Sequence, residues 1–123
     1  MVNTEAIQKA ILAHSEWKVR LQKAIETGKV DVDIAQVKAD NNCQFGKWLY
    51  SEELTPAEKQ TVHYGTVRQL HARFHVEAAS VLELARAGKK DQALKAMGLV
   101  GSYDTASNAL TNALTKWQAA LGT

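Results

Sequence analysis

The chain has 123 residues and a mass of 13.5 kDa, the size of one domain. Apolar residues make up 46% and charged residues 23%, enough to form a core, which excludes wholesale disorder. Fifteen basic residues against thirteen acidic ones leave +2, too small a charge to point to nucleic acid or an anionic membrane as partner.

The opening Met1-Val-Asn-Thr-Glu5 lacks the basic region and apolar core of a secretory signal. From Asn3 to Thr27, Ile7, Ile11, His14, Leu21 and Ile25 recur on one helical face. Asn3 or Thr4 is placed to cap the start, and Gly28 sits where a left-handed C-cap glycine belongs. The stripe has one polar member, His14. Residues 29–54 lose this periodicity at Asp31, Asp33, Asp40, Asn41 and Asn42, which predicts short helical turns there. Cys43-Gln-Phe-Gly-Lys-Trp-Leu-Tyr50 reads as a turn entering a short helix over about 44–52.

Thr55-Pro56-Ala57-Glu58 has the order of a capping box with proline at the first helical position. It predicts a long helix from there to Ala87, stopped by Gly88. Its stripe is Val67, Leu70, Phe74, Ala78, Val81 and Ala85, with His71 and His75 interleaved. A last helix over 91–121 carries Leu94, Met97, Val100, Ala106, Leu110, Leu114 and Trp117, with a break or kink near 98–104 at Gly98 and Gly101. No apolar run reaches the roughly 18 residues of a membrane span. The fold class expected is all-α: an antiparallel four-helix bundle with a short additional helix carrying the cysteine motif.

His71 and His75 stand four apart on a helix, about 40° in direction and about 6 Å in height, so both imidazoles can reach one ion. His14 lies on a buried stripe, where a neutral imidazole needs a hydrogen-bond or metal partner. Cys43, the single thiol, excludes an internal disulfide and points to a reducing compartment. Three imidazoles and a thiolate suit tetrahedral Zn²⁺. His63 is eight residues before His71, about 12 Å along the helix, too far to join them. Trp17, Trp48 and Trp117 read as packing anchors, with Trp48 clamping the cysteine segment.

His14, Cys43-Gln-Phe-Gly-Lys-Trp48 and Leu70-His71-Ala-Arg-Phe-His75 together resemble the chemoreceptor zinc-binding domain family. Its pattern is an early helical histidine, then Cys-x-(Leu/Phe)-Gly-x-(Trp/Tyr), then His-x-x-x-His. The resemblance implies that His14, Cys43, His71 and His75 ligate Zn²⁺, with Gly46 and Trp48 as supporting motif residues. It implies a cytoplasmic four-helix bundle, commonly homodimeric, attached to chemoreceptors or diguanylate cyclases. The signalling output domain would then lie in cis or in trans, serving chemotaxis or cyclic-di-GMP control. Similar domains are associated with sensing hypochlorous acid and related oxidants, or zinc itself.

Four protein ligands leave no open position for substrate. The hydrolytic His-Glu-x-x-His arrangement needs a glutamate where Ala72 stands. The expectation is therefore a single regulatory domain over residues 1–123, not an enzyme, in which Cys43 is the redox-reactive group. Two other readings stay open. One is a zinc-dependent hydrolytic enzyme in which a ligand dissociates to admit water; the other is a metal-free helical adaptor.

Overall fold

A computed structural model describes residues 4–121. The chain forms α1 (Thr4–Thr27), α2 (Ile34–Lys38), α3 (Gln44–Leu49), a single 3₁₀ turn (Glu58–Gln60), α4 (Val62–Arg86), α5 (Lys90–Met97) and α6 (Ser102–Leu121). The architecture is a helical bundle, as the alanine-rich, helix-periodic sequence predicts. α4 lies at its centre, with Val67, Phe74, Ala78 and Val81 essentially inaccessible, and it packs against α1, α2, α5 and α6.

The directions of the long helices follow from which ends meet. Trp117 near the end of α6 meets Tyr64 near the start of α4, while Tyr103 at the other end of α6 packs on Phe74. Gln118 Nε2 donates to Gln8 Oε1 at 2.9 Å, so α6 also runs antiparallel to α1. α1 and α4 run in the same direction, with His14 against Phe74, and with Ala24 and Leu82 in one further cleft. Parallel neighbours need a long return. Residues 28–61 supply it, and α2 and α3 ride on that return.

Several expected boundaries are met. Gly28 and Gly88 end their helices at φ 70° and 76°. The Asn3 cap falls outside the described residues, and Thr4 is the first helical residue described. The short helix stops at Leu49 rather than 52: the Tyr50 amide makes the last regular bond, to the Gly46 carbonyl, and the Ser51 amide and hydroxyl both turn back to the Trp48 carbonyl.

The capping box forms as a local structure: the Thr55 amide donates to Glu58 Oε1 and the Glu58 amide to Thr55 Oγ1. It caps only the 3₁₀ turn, however. The long helix starts seven residues later than Thr55, at Val62, where the Thr61 hydroxyl oxygen accepts from the Tyr64 amide. Thr61 is extended at ψ 153°, which breaks the helical path between the two caps.

The expected break in the last helix divides it into α5 and α6. A Cβ on Gly101 would lie 2.2 Å from the Ala96 carbonyl oxygen, so only glycine lets the chain fold back on the end of α5. This break also alters the stripe. Ala93 and Met97 face inward, whereas Leu94 is half exposed and Val100 sits in the connecting loop, 91% exposed at φ 57°. Ile11 and Leu70 are only partly buried, because Ala10 and His71 take the innermost positions on their turns.

Candidate metal centre

His14, His71 and His75 are the buried polar side chains among the described residues, exposed by only 4%, 0% and 3%. α1 delivers the first, and successive turns of α4 deliver the other two. Cys43 reaches them from the start of α3 and is half-buried. One ligand atom from each of the four lies within 4.8 Å of all the others, a group that could hold a metal ion. His71 Nε2 is 3.1 Å from His75 Nε2 and 3.3 Å from Cys43 Sγ. Donors on a zinc tetrahedron, at about 2.0–2.1 Å for nitrogen and about 2.3 Å for sulfur, stand about 3.3–3.6 Å apart. The cluster is already close to that spacing.

Two imidazoles are oriented through their outer nitrogens. His14 Nδ1 lies 2.7 Å from the Ala10 carbonyl, and His75 Nδ1 lies 2.8 Å from the Val37 carbonyl. A carbonyl only accepts, so each Nδ1 carries the hydrogen and each Nε2 presents a bare lone pair. This is the outer arrangement that metal-binding histidines ordinarily use. His71 Nδ1 is buried with no hydrogen-bond partner, so this ring is held by packing. Phe45 meets it edge-on at 5.1 Å, and His14 does so at 5.0 Å.

Electrostatics keep all four groups uncharged when no cation lies among them. Burial pushes His14 down to about 4, opposed by its bond to the Ala10 carbonyl. His71 is driven far down by burial and then by the neighbouring imidazoles. Burial also lowers His75, against the pull of the Val37 carbonyl. The Cys43 thiol is pushed up by burial, although amide donors including Gly46 favour its thiolate. The bare lone pairs of His14 and His75 therefore point into the cluster, and the hydrogens that remain to be shared there belong to the Cys43 thiol and the His71 ring, beside which His75 Nε2 and Cys43 Sγ stand. A divalent cation fits the donor set, because it satisfies these lone pairs and favours the thiolate at once.

The segment carrying Cys43 is built around Gly46. Cys43 is the N-cap of α3, and its Sγ accepts the Gly46 amide at 3.2 Å. A Cβ on Gly46 would lie 1.8 Å from the Asp40 carbonyl oxygen and 3.0 Å from Asn41 Cα. Glycine here permits close backbone approach, which fixes the turn and aims the sulfur. Asn42 Nδ2 donates to the Gln36 carbonyl, Tyr50 donates to Asp40, and Tyr64 donates to the Leu49 carbonyl at 2.8 Å. Trp48 stacks on Phe45 at 5.5 Å, tilts against Trp117 at 5.8 Å and donates to Glu53. These contacts fit the clamping role expected of Trp48. His63 is exposed and stands outside the group.

Sequence reasoning missed the carbonyls of Ala10 and Val37. Backbone acceptors carry no residue signature, and only the polar member of each apolar stripe hinted that such partners were needed.

The family model described as "Chemoreceptor zinc-binding domain" matches residues 14–82, more than half of the chain. The chain belongs to that family, a family of regulatory sensor domains, and its four-residue cluster supports a zinc-binding domain of the chemoreceptor type. No curated protein and no solved structure matches it. No helix among the described residues is long and apolar enough to cross a membrane.

Replacing the glycine, Gly46→Ala, is expected to move the Asp40–Asn41 backbone and lower zinc affinity by about 10–100-fold, the usual loss when outer support fails. Competition with a chromophoric chelator measures it; unchanged affinity with intact helicity would contradict this role for Gly46. In the metal-free protein, His14 binds its proton less readily when folded than when unfolded. The folded state is then favoured fully above 6.5, and that stability is lost as pH falls from 6.5 through about 4. Urea midpoints across this range should decline toward acid; a flat profile would contradict the burial of a neutral His14.

Proposed function

We propose that the chain is a single zinc-binding regulatory module in which His14, Cys43, His71 and His75 ligate one Zn²⁺ and Cys43 is the redox-reactive ligand. The observation carrying this reading is the unequal footing of the four donors. The three histidines are almost completely buried on long helices, whereas Cys43 is half-buried at the end of a six-residue helix. Cys43 and His14 also line a cleft between α1 and α3, while His71 and His75 lie off its lining. A small oxidant entering from solvent would meet the sulfur of this donor set.

Bound zinc would supply the positive charge that keeps Cys43 as a thiolate against the cost of burial. Cys43 Sγ then attacks the chlorine of hypochlorous acid, and hydroxide leaves. Hydrolysis of the S–Cl bond gives sulfenic acid and chloride. In sum, one thiolate and one hypochlorous acid give one sulfenic acid and one chloride. Sulfur loses two electrons and chlorine gains them. The sulfenic acid is uncharged and a weaker donor, so α3 is no longer held from below. The histidines stay in place on α1 and α4, and the altered packing of residues 40–50 is the signal.

The module needs an output partner, in the same polypeptide or in another, through which chemotaxis or cyclic-di-GMP synthesis would respond. A homodimer and the reducing cytoplasm suit that role. Four filled coordination positions and alanine at residue 72 favour regulation over hydrolysis.

The test is to add substoichiometric hypochlorite to the zinc-loaded protein. Mass spectrometry then follows Cys43 and the two methionines, while circular dichroism follows helix content. Cys43 should oxidise first, with a small loss of helix and weakened zinc retention. Oxidation of Met97 while Cys43 stays reduced would overturn the switch.

A further inference from the structure

The cleft over Cys43 has a chemistry of its own. It encloses about 370 Å³, within the range of small-molecule sites. Its α1 wall is opened by three small residues, Ala6, Ala10 and Ala13, spaced along one face of the helix. Opposite stand Phe45 and Trp48, stacked on each other, and Trp17 closes one end. The Arg20 guanidinium lies over the Trp17 ring, 4.0 Å from its centre. Such a slot favours a flat apolar body.

The charged side chains in the lining of the slot are both cations, while Glu5 beside Lys9 and Glu53 on Trp48 Nε1 lie just outside it. Lys9 from α1 and Lys47 from α3 are part of the lining, and no carboxylate is. Lys9 lies 3.6 Å from Glu5, but both side chains are more than 70% exposed, so solvent screens the pair. Lys47 has no ion pair among the described residues. Two cations beside an aromatic slot complement an anion that carries an apolar body.

We infer that the α1–α3 cleft is a binding site for small aromatic carboxylates, which seat over Cys43 and His14 and restrict access to the thiol. The ring system lies between the alanine face of α1 and the Phe45–Trp48 pair, and the carboxylate faces Lys9 and Lys47. Occupancy places the ligand between solvent and Sγ, so a metabolite of this class would set how readily Cys43 reacts. The inference goes beyond oxidant sensing and holds whichever signal the metal centre reads.

2-Naphthoate is a suitable probe, and 2-naphthamide is its neutral control. Binding to the zinc-loaded full chain is measured by calorimetry, and access to Cys43 by its rate of alkylation with iodoacetamide at fixed pH. Naphthoate should bind about tenfold more tightly than the amide, as expected for one charge-assisted contact, and should slow alkylation severalfold at saturation. The double substitution Lys9→Gln and Lys47→Gln should erase the preference for the anion. Ala13→Leu should fill the slot and abolish binding while zinc content stays at the unsubstituted level. Equal binding of acid and amide, full binding to the Ala13→Leu protein, or no binding because a second copy covers the cleft would each overturn the inference. None of these results depends on hypochlorite chemistry, so the redox switch stands or falls separately.

Discussion

Three neutral imidazoles and a thiol facing one another inside an apolar bundle constitute the constraint on which the rest depends. Burial makes a proton on any of the imidazoles costly, and their lone pairs point inward because carbonyls hold the outer nitrogens of His14 and His75. The fold spends much of its irregular structure on this point. α2 exists to present the Val37 carbonyl to His75, and its N-cap, Asp33, holds that short helix in place through the Ala35 amide. α3 exists to present a sulfur, and its first turn wraps around Gly46 so that the sulfur is both a helix cap and a potential ligand.

This arrangement divides the molecule into a stable frame and a lighter attachment. α1, α4 and α6 bury Ile7, Leu21, Phe74, Leu110 and Leu114 completely, and core side chains of this size each contribute roughly 1.5–3 kcal/mol by leaving water. The return segment is held instead by a few side-chain hydrogen bonds and the Phe45–Trp48–Trp117 contacts. A chemical event at Cys43 therefore acts where the least burial resists it, while the frame keeps its shape. Local openings of low cost are drawn from such segments.

Much of this was legible in the sequence because each signal had a physical basis that nothing overrode. His14 betrayed itself as the polar member of an apolar stripe, His71 and His75 by helical spacing, and Cys43 by its setting between a polar turn and Gly46. The glycine stops at Gly28 and Gly88 held, since left-handed backbone has few other occupants. The start of α4 was misplaced because Thr55 and Thr61 both make competent caps, and a local pattern cannot tell which one the long helix uses. Leu94 and Val100 were assigned inward by continuing one phase through a break that resets it at Gly101. The helical bundle is as expected, but the parallel course of α1 and α4 departs from the antiparallel arrangement that consecutive helices joined by brief turns suggest. That course depends on how residues 28–61 cross the bundle, which composition does not encode.

In the proposed centre His14, Cys43, His71 and His75, and no other side chains, surround one zinc ion. X-ray absorption spectroscopy at the zinc edge, on protein purified without chelator and checked for metal content, tests this most directly. The expected result is one zinc per chain with three nitrogen scatterers at about 2.0–2.1 Å and one sulfur at about 2.3 Å, the sulfur disappearing in the Cys43→Ala protein. A first shell without sulfur, or one that Cys43→Ala leaves unchanged, would contradict this ligand set.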